Sequence, residues 1–252
     1  MGIERGSVAS RRPGFYASGL GDRLVDENRY SASIRHFLSA EKELLDVAQA
    51  SFETLVEVGC MDGRYLRWAI ASGKSYLGVE PVSRYAAAAR RKIARLGGDR
   101  SRYRAVRGSA ESLDGILAAE TTGTEPALVF FPFNSFGNAR DPRPILRALA
   151  NIGQPVLISS YRTTAMATLS RQRYYERCAY RRLRKETSSQ GIRFVTDEGL
   201  NSMAYEPEFL CTLAADTGLD LIPIRFGGIG LAFGSSTVCS LPAPTSSTAA
   251  RG

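Results

Sequence analysis

Histidine occurs once in this chain of 252 residues, at position 36, so a metal site built on several imidazoles is excluded. The four cysteines, Cys60, Cys178, Cys211 and Cys239, lack the paired spacing of a zinc site and fit a reducing compartment. No apolar run is long enough to span a bilayer, and Met1 to Pro13 lacks the hydrophobic region of a signal peptide. The expectation is a cytoplasmic protein with no metal and no membrane partner. Lysine is scarce, no RNA-binding module is visible and no internal repeat occurs, which argues against nucleic acid as the partner.

What is present is enough hydrophobic residue, 44%, to bury one substantial core. Leu55, Val56 and Val58 suit a buried strand, followed by the turn Gly59-Cys60-Met61-Asp62-Gly63, a helical stretch, and a second strand ending in Glu80. Glycines there let the backbone turn tightly and approach a ligand at a helix N-terminus. An acid at the end of the second strand is placed to accept hydrogen bonds from both hydroxyls of a ribose. The turn has neither G-x-G-x-x-G nor the Lys-Ser/Thr of a P-loop, which excludes the usual dinucleotide and triphosphate sites.

From Glu57 to Gly63 the chain resembles motif I of the class I S-adenosylmethionine-dependent methyltransferases, E/D-x-G-x-G-x-G, with Met61 at the middle glycine. That replacement is tolerable with Met61 in an ordinary φ region. The resemblance extends roughly from Glu53 to Leu241 and is strongest at motif I. It implies an α/β fold: a doubly wound, Rossmann-like, seven-stranded, mostly parallel sheet with an antiparallel last strand and helices on both faces. The remaining strands are expected at Arg104–Arg107, Ala127–Phe131, Gln154–Ser160, Leu219–Arg225 and Leu231–Leu241, with helices at Arg84–Leu96 and Glu208–Thr217. Residues 1–50 are expected to form an N-terminal helical lid, 51–241 the methyltransferase domain with a lid insertion at about 161–205, and 242–252 a disordered tail.

The resemblance also assigns roles. S-adenosyl-L-methionine is the expected cofactor, with Glu57, Gly59, Cys60, Met61, Gly63, Glu80 and Pro81 contributing from the first two strand ends. Ser109, Ala110 and Glu111 follow the third strand, where the family often carries an acid for the adenine amino group; Ser109 can accept that bond or cap the following helix. After the fourth strand, Pro132 and Phe133 face the cofactor's methionine end; Asn134, a catalytic candidate, can orient the acceptor or bond the cofactor's amino-acid moiety, Asn138 can bind the acceptor, and both can instead serve turns.

For catalysis, Tyr16 and Tyr30 can cover the sulfonium, and His36 is the side chain whose ordinary pKa suits proton removal, although Ile34, Phe37 and Leu38 around it suggest helix packing. Tyr161 and Arg162, after the fifth strand, are candidates for binding the acceptor. Between Arg171 and Lys185 a helix is expected that puts Arg173, Arg177, Arg181 and Arg184 on one face, with Tyr175, Ala179 and Leu183 as an apolar stripe. Its Arg177 and Arg181 are candidates for an anionic acceptor, or the helix is a solvated face. The expected activity is transfer of a methyl group to nitrogen or oxygen of a small biosynthetic molecule, an amine being favoured for needing little help, with a homodimer allowed. The alternatives are an RNA methyltransferase using the basic helix and a non-catalytic partner subunit of the same fold.

Overall fold

The computed structural model describes residues 14–120 and 125–239. Five strands alternate with helices in the first part of the chain: β1 (Thr54–Val58), α2 (Leu66–Ala71) after the earlier α1 (Ala32–Ala48), β2 (Ser75–Glu80), α3 (Ser83–Arg95), β3 (Tyr103–Arg107), α4 (Leu113–Glu120), β4 (Ala127–Phe131), α5 (Arg143–Ile152) and β5 (Val156–Tyr161). Next come α6 (Ala165–Arg177), β6 (Arg184–Ser188), β7 (Gly191–Val195) and β8 (Asn201–Tyr205). Then α7 (Pro207–Ala215), β9 (Leu221–Phe226), β10 (Gly230–Ser235) and α8 (Ser236–Cys239) follow.

Seven strands form one sheet in the order β3-β2-β1-β4-β5-β10-β9. β1 pairs parallel with both β2 and β4, and only β10 runs antiparallel to its neighbours, β5 and β9. Strand pleating sends alternate residues to opposite faces, which explains the two cores. Leu55, Tyr76, Leu128 and Phe130 pack with α1, α2 and α3, whereas Val56, Leu77, Val129 and Phe131 pack with α4, α5 and α7. Both faces of the central strands are therefore apolar, and the sheet is covered on both sides. Between β1 and β4 the strand order reverses, the place where open α/β sheets leave a crevice beyond their carboxyl ends.

Helix α1 opens on Ser31, whose side chain accepts from the Ile34 amide, and it buries Ile34, Phe37 and Leu45. Upstream, the segment carrying Tyr16, Leu24 and Val25 lies against the end of α6: the Tyr180 hydroxyl donates to the Leu20 carbonyl at 2.9 Å and Arg29 to the Arg177 carbonyl at 2.7 Å. No helix of the described residues is long and apolar enough to cross a membrane.

Three expectations need correction. The basic helix over 171–185 ends at Arg177, because Ala179 (φ 55°) and Arg182 (φ 50°) take left-handed backbone. Arg184 then begins β6 of a separate three-stranded antiparallel sheet, β6-β7-β8, and pairs with Asp197, as Arg181 pairs with Glu198. Arg173, Arg177, Arg181 and Arg184 thus share no helical face. The last strand stops at Ser235, where α8 starts, not at Leu241. Met61 lies at φ 50°, in the left-handed region rather than an ordinary one. The expected tail, 242–252, falls outside the described residues.

Candidate active site

The turn after β1 is a backbone device. Gly59 (φ 77°) donates to the Val79 carbonyl at 2.8 Å, and Gly63 (φ 85°) to that of Cys60 at 2.8 Å. A Cβ on Gly59 would stand 3.0 Å from the Cβ of Ser135, so the strand end can approach the loop after β4 only without a side chain. Glu80 fixes the turn from the neighbouring strand, accepting from the Met61 amide on Oε2 and the Val82 amide on Oε1, each at 2.9 Å. Burial raises its carboxyl above the usual range, against the pull of those two N–H bonds.

Below the turn, Glu57 is wholly buried and accepts on one oxygen from the Tyr76 hydroxyl at 2.6 Å and the Tyr65 amide at 3.1 Å. Its other oxygen, Oε1, has no hydrogen-bond partner. Burial pushes its pKa up to about 7, partly offset by Tyr76, the Tyr65 amide, Arg64 and Lys92.

After β4, Phe133 (φ 46°) and Asn134 (φ 61°) both take left-handed backbone. Glu41 of α1 holds this bend: its buried carboxylate accepts the Phe133 amide at 2.7 Å and the Tyr65 hydroxyl at 2.5 Å. The Arg64 guanidinium stands 4.9 Å from the centre of the Phe133 ring and donates to the Tyr30 hydroxyl at 3.1 Å. Strained non-glycine backbone costs of order 1–3 kcal/mol per residue and clusters where geometry is functional. Here Met61, Phe133 and Asn134 all line one cavity.

That cavity, of about 350 Å³, lies beyond the carboxyl ends of β1, β2, β3 and β4. Its far wall comes from α6 and β8. Asn134 Nδ2 donates to Ser202 Oγ at 3.0 Å, the Ser160 hydroxyl donates to Asn134 Oδ1 at 2.6 Å, and Tyr175 Oη lies 2.7 Å from Ser202 Oγ. Tyr16 closes the cavity from the N-terminal side. Burial first, then the proximity of Tyr175, Glu80 and Tyr85, holds its hydroxyl far above the ordinary phenol range, so it stays protonated.

Of the residues singled out from sequence, Gly59, Cys60, Met61, Glu80 and Pro81 line the cavity, as do Ser109, Ala110, Glu111, Pro132 and Phe133. Glu57 and Gly63 do not; they shape the turn from behind. Ser109 makes no side-chain cap bond to the helical turn that follows it. Tyr16, Asn134, Asn138 and Tyr161 also line the cavity. Tyr30 lies behind Arg64. His36 is exposed on α1 outside the cavity, because its helix turns Ile34 and Phe37 inward instead. Arg177 and Arg181 are exposed away from it, and Arg162 donates to the Gly228 carbonyl. Arg64, Tyr174, Tyr175 and Ser202 also line the cavity, and the one signal for them in the sequence is that Arg64 directly follows Gly63.

The sheet order, the glycine turn and the acid ending β2 settle the architecture. The chain has the fold of the class I S-adenosylmethionine-dependent methyltransferases. It superposes on an S-adenosylmethionine-dependent methyltransferase from Aquifex aeolicus with TM-score 0.55 and 13% identity, over 87% of this chain and 97% of that one. A 1,6-didemethyltoxoflavin-N1-methyltransferase from Burkholderia thailandensis, crystallised with bound 1,6-didemethyltoxoflavin and S-adenosylhomocysteine, gives 0.54 and 14% over 89% and 90%. The methyltransferase CcbJ from Streptomyces caelestis gives 0.53 and 15% over 77% and 93%. No protein-family model and no curated protein sequence matches the chain. At such identities, the class I methyltransferase likeness is one of fold.

Proposed function

We propose that this protein is an S-adenosylmethionine-dependent methyltransferase acting on a small biosynthetic molecule in the cytoplasm. The observation that carries the reading is Glu80: a buried carboxylate at the end of β2, on the cavity wall, whose two oxygens each keep a lone pair beyond the amides they already accept. Two vicinal ribose hydroxyls match that vacancy. When bound, the cofactor supplies a methyl group already activated on a sulfonium.

The remaining work belongs to the chain. Gly59 gives the cofactor room to lie against the backbone, and Ser109 to Glu111 border the adenine side. Arg64, the cation on the wall beside Phe133, is suited to a carboxylate at the methionine end. Phe133, Tyr161 and Tyr174 exclude water, and Tyr16 covers the opening. Asn134, pinned by Ser160 and Ser202, positions the acceptor for in-line attack. Solved structures of this fold include N- and O-methyltransferases of small molecules, which supports the substrate class.

The RNA alternative drew on a continuous basic helix, and it loses that support with Arg184 in β6 and the neighbouring arginines paired to acids. Calorimetric titration with S-adenosylmethionine and S-adenosylhomocysteine, followed by transfer assays with labelled methyl donor, tests the proposal. Saturable binding lost in Glu80→Ala supports it; a well-folded wild type that binds neither ligand points to the non-catalytic reading.

A further inference from the structure

Arg171, in the middle of α6, is 1% exposed and has no carboxylate partner among the described residues. Its Nη1 donates to the Ile192 carbonyl at 2.9 Å, its Nη2 to the Ser202 carbonyl and, at 3.0 Å, to Ser202 Oγ, and its Nε to Tyr175 Oη at 3.1 Å. The rings of Tyr161, Tyr175 and Phe194 surround it, with centres 5.3, 5.6 and 5.0 Å from the guanidinium carbon. A buried cation without a counter-ion is costly, and the cost falls when an anion arrives nearby.

Hydrogen-bond accounting shows where that anion would sit. Ser202 Oγ accepts from Asn134 Nδ2 and from Arg171 Nη2, which uses both of its lone pairs. Its own hydrogen is left for Tyr175 Oη, 2.7 Å away. The Tyr175 oxygen then accepts from Ser202 and from Arg171, so its own hydrogen has no acceptor among the described residues. Tyr175 lines the cavity, and so does Tyr161, whose hydroxyl makes no hydrogen bond among the described residues. Two phenolic hydrogens thus have only the cavity to donate into, with a guanidinium behind them.

The approach to this wall has the same sign. Arg140 and Arg193 line an adjoining depression that shares Tyr16 and Asn138 with the main cavity, and neither is in an ion pair among the described residues. Unpaired guanidinium groups at a mouth attract anions from solution. The carboxylates of the cavity wall, Glu80 at the end of β2 and Glu111 beyond β3, lie on the proposed cofactor side.

Resting on the methyltransferase reading above, we propose that the acceptor carries an ionised oxygen, carboxylate or phenolate, received by the hydroxyls of Tyr175 and Tyr161 in the field of Arg171. An acceptor that arrives ionised also needs no proton-removing base at that oxygen, and neither α6 nor β8 brings a histidine or carboxylate to the wall.

The test uses the full chain saturated with S-adenosylhomocysteine, after its binding has been measured. Failure of a folded chain to bind S-adenosylhomocysteine removes the methyltransferase reading and this inference with it. With that ligand bound, benzoate is titrated against benzamide and 4-nitrophenolate against nitrobenzene, with benzylamine as the cationic control. At least one anion should bind about ten-fold or more tightly than its neutral partner. Benzoate alone identifies a carboxylate and nitrophenolate alone a phenolate. Tyr175→Phe should abolish the preference while leaving S-adenosylhomocysteine and the neutral probe unchanged; loss of all affinities together marks a structural role. Arg171→Gln should act likewise, with Tyr175→Phe decisive where Arg171→Gln does not fold. Equal binding of charged and neutral probes, preference for benzylamine, no probe binding to the loaded protein, or a preference that survives Tyr175→Phe would overturn the assignment.

Discussion

The amide of Met61 donates to the carboxylate of Glu80 at 2.9 Å, tying the turn after β1 to the end of β2. One side chain therefore shapes the cofactor turn and faces the expected ribose. Glu80→Ala should weaken S-adenosylhomocysteine binding by on the order of 1.5–3 kcal/mol through loss of charge-assisted bonds. Calorimetry on the folded variant checks this, and unchanged affinity would remove the ribose assignment.

Arg64, proposed above to meet the carboxylate at the methionine end, gives a separate test of how the ligand is held. Arg64→Met should lower S-adenosylhomocysteine affinity about ten-fold or more, yet leave methylthioadenosine, which lacks the amino-acid moiety, nearly unaffected. Equal losses for the two ligands would place Arg64 in support of the fold and not at the methionine end.

At Met61 the left-handed backbone separates glycine from alanine. Both substitutions delete the thioether, but only glycine is relaxed at φ 50°. Met61→Gly should therefore be more stable than Met61→Ala by about 1 kcal/mol, read from chemical denaturation midpoints at unchanged m. The reverse order would mean that the turn has moved to accommodate alanine.

Glu57 gives stability a pH dependence. Its pKa rises from 4.5 to about 7 on folding, so its contribution is fully present below 4.5 and is lost as pH climbs through 7. Relative to Glu57→Gln, the wild type should lose on the order of 3 kcal/mol across that interval. Glu41, also raised by burial, has the same sign in both proteins and cancels from the comparison. Parallel pH profiles for the two proteins would show that Glu57 is not the titrating group.

The legible parts of the fold were those with local causes. Continuous apolar strands such as Ala127–Phe131, the glycines around Cys60 and the acid ending β2 follow from sheet burial and backbone freedom, and the structure has them where the residues suggest. The second sheet was not legible. Every residue of β6, Arg-Lys-Glu-Thr-Ser, is exposed, so no alternation of apolar and polar residues marks it as a strand. Nor did Ala179 and Arg182 signal left-handed turns, since neither is the glycine or asparagine that such positions favour. Within the candidate site, Arg171 looked like one more charge in a basic run. Its burial depends on Ser202 and Ile192, which reach it from distant strands. His36 misled for the converse reason: its titration range suits catalysis, but the helix that carries it spends its inward face on Ile34 and Phe37.

The two walls of the cavity come from different stretches of chain. Turns after β1 to β4 make one; α6 and β8, both lying between Tyr161 and Glu206, make the other. Crossover at those two points would exchange the second wall as a cassette, and the incoming segment would have to supply the partner that Ser202 gives Asn134 on the first wall. On the function proposed above, acceptor choice can therefore diversify by recombination of one contiguous segment that contains neither Glu80 nor the glycine turn after β1.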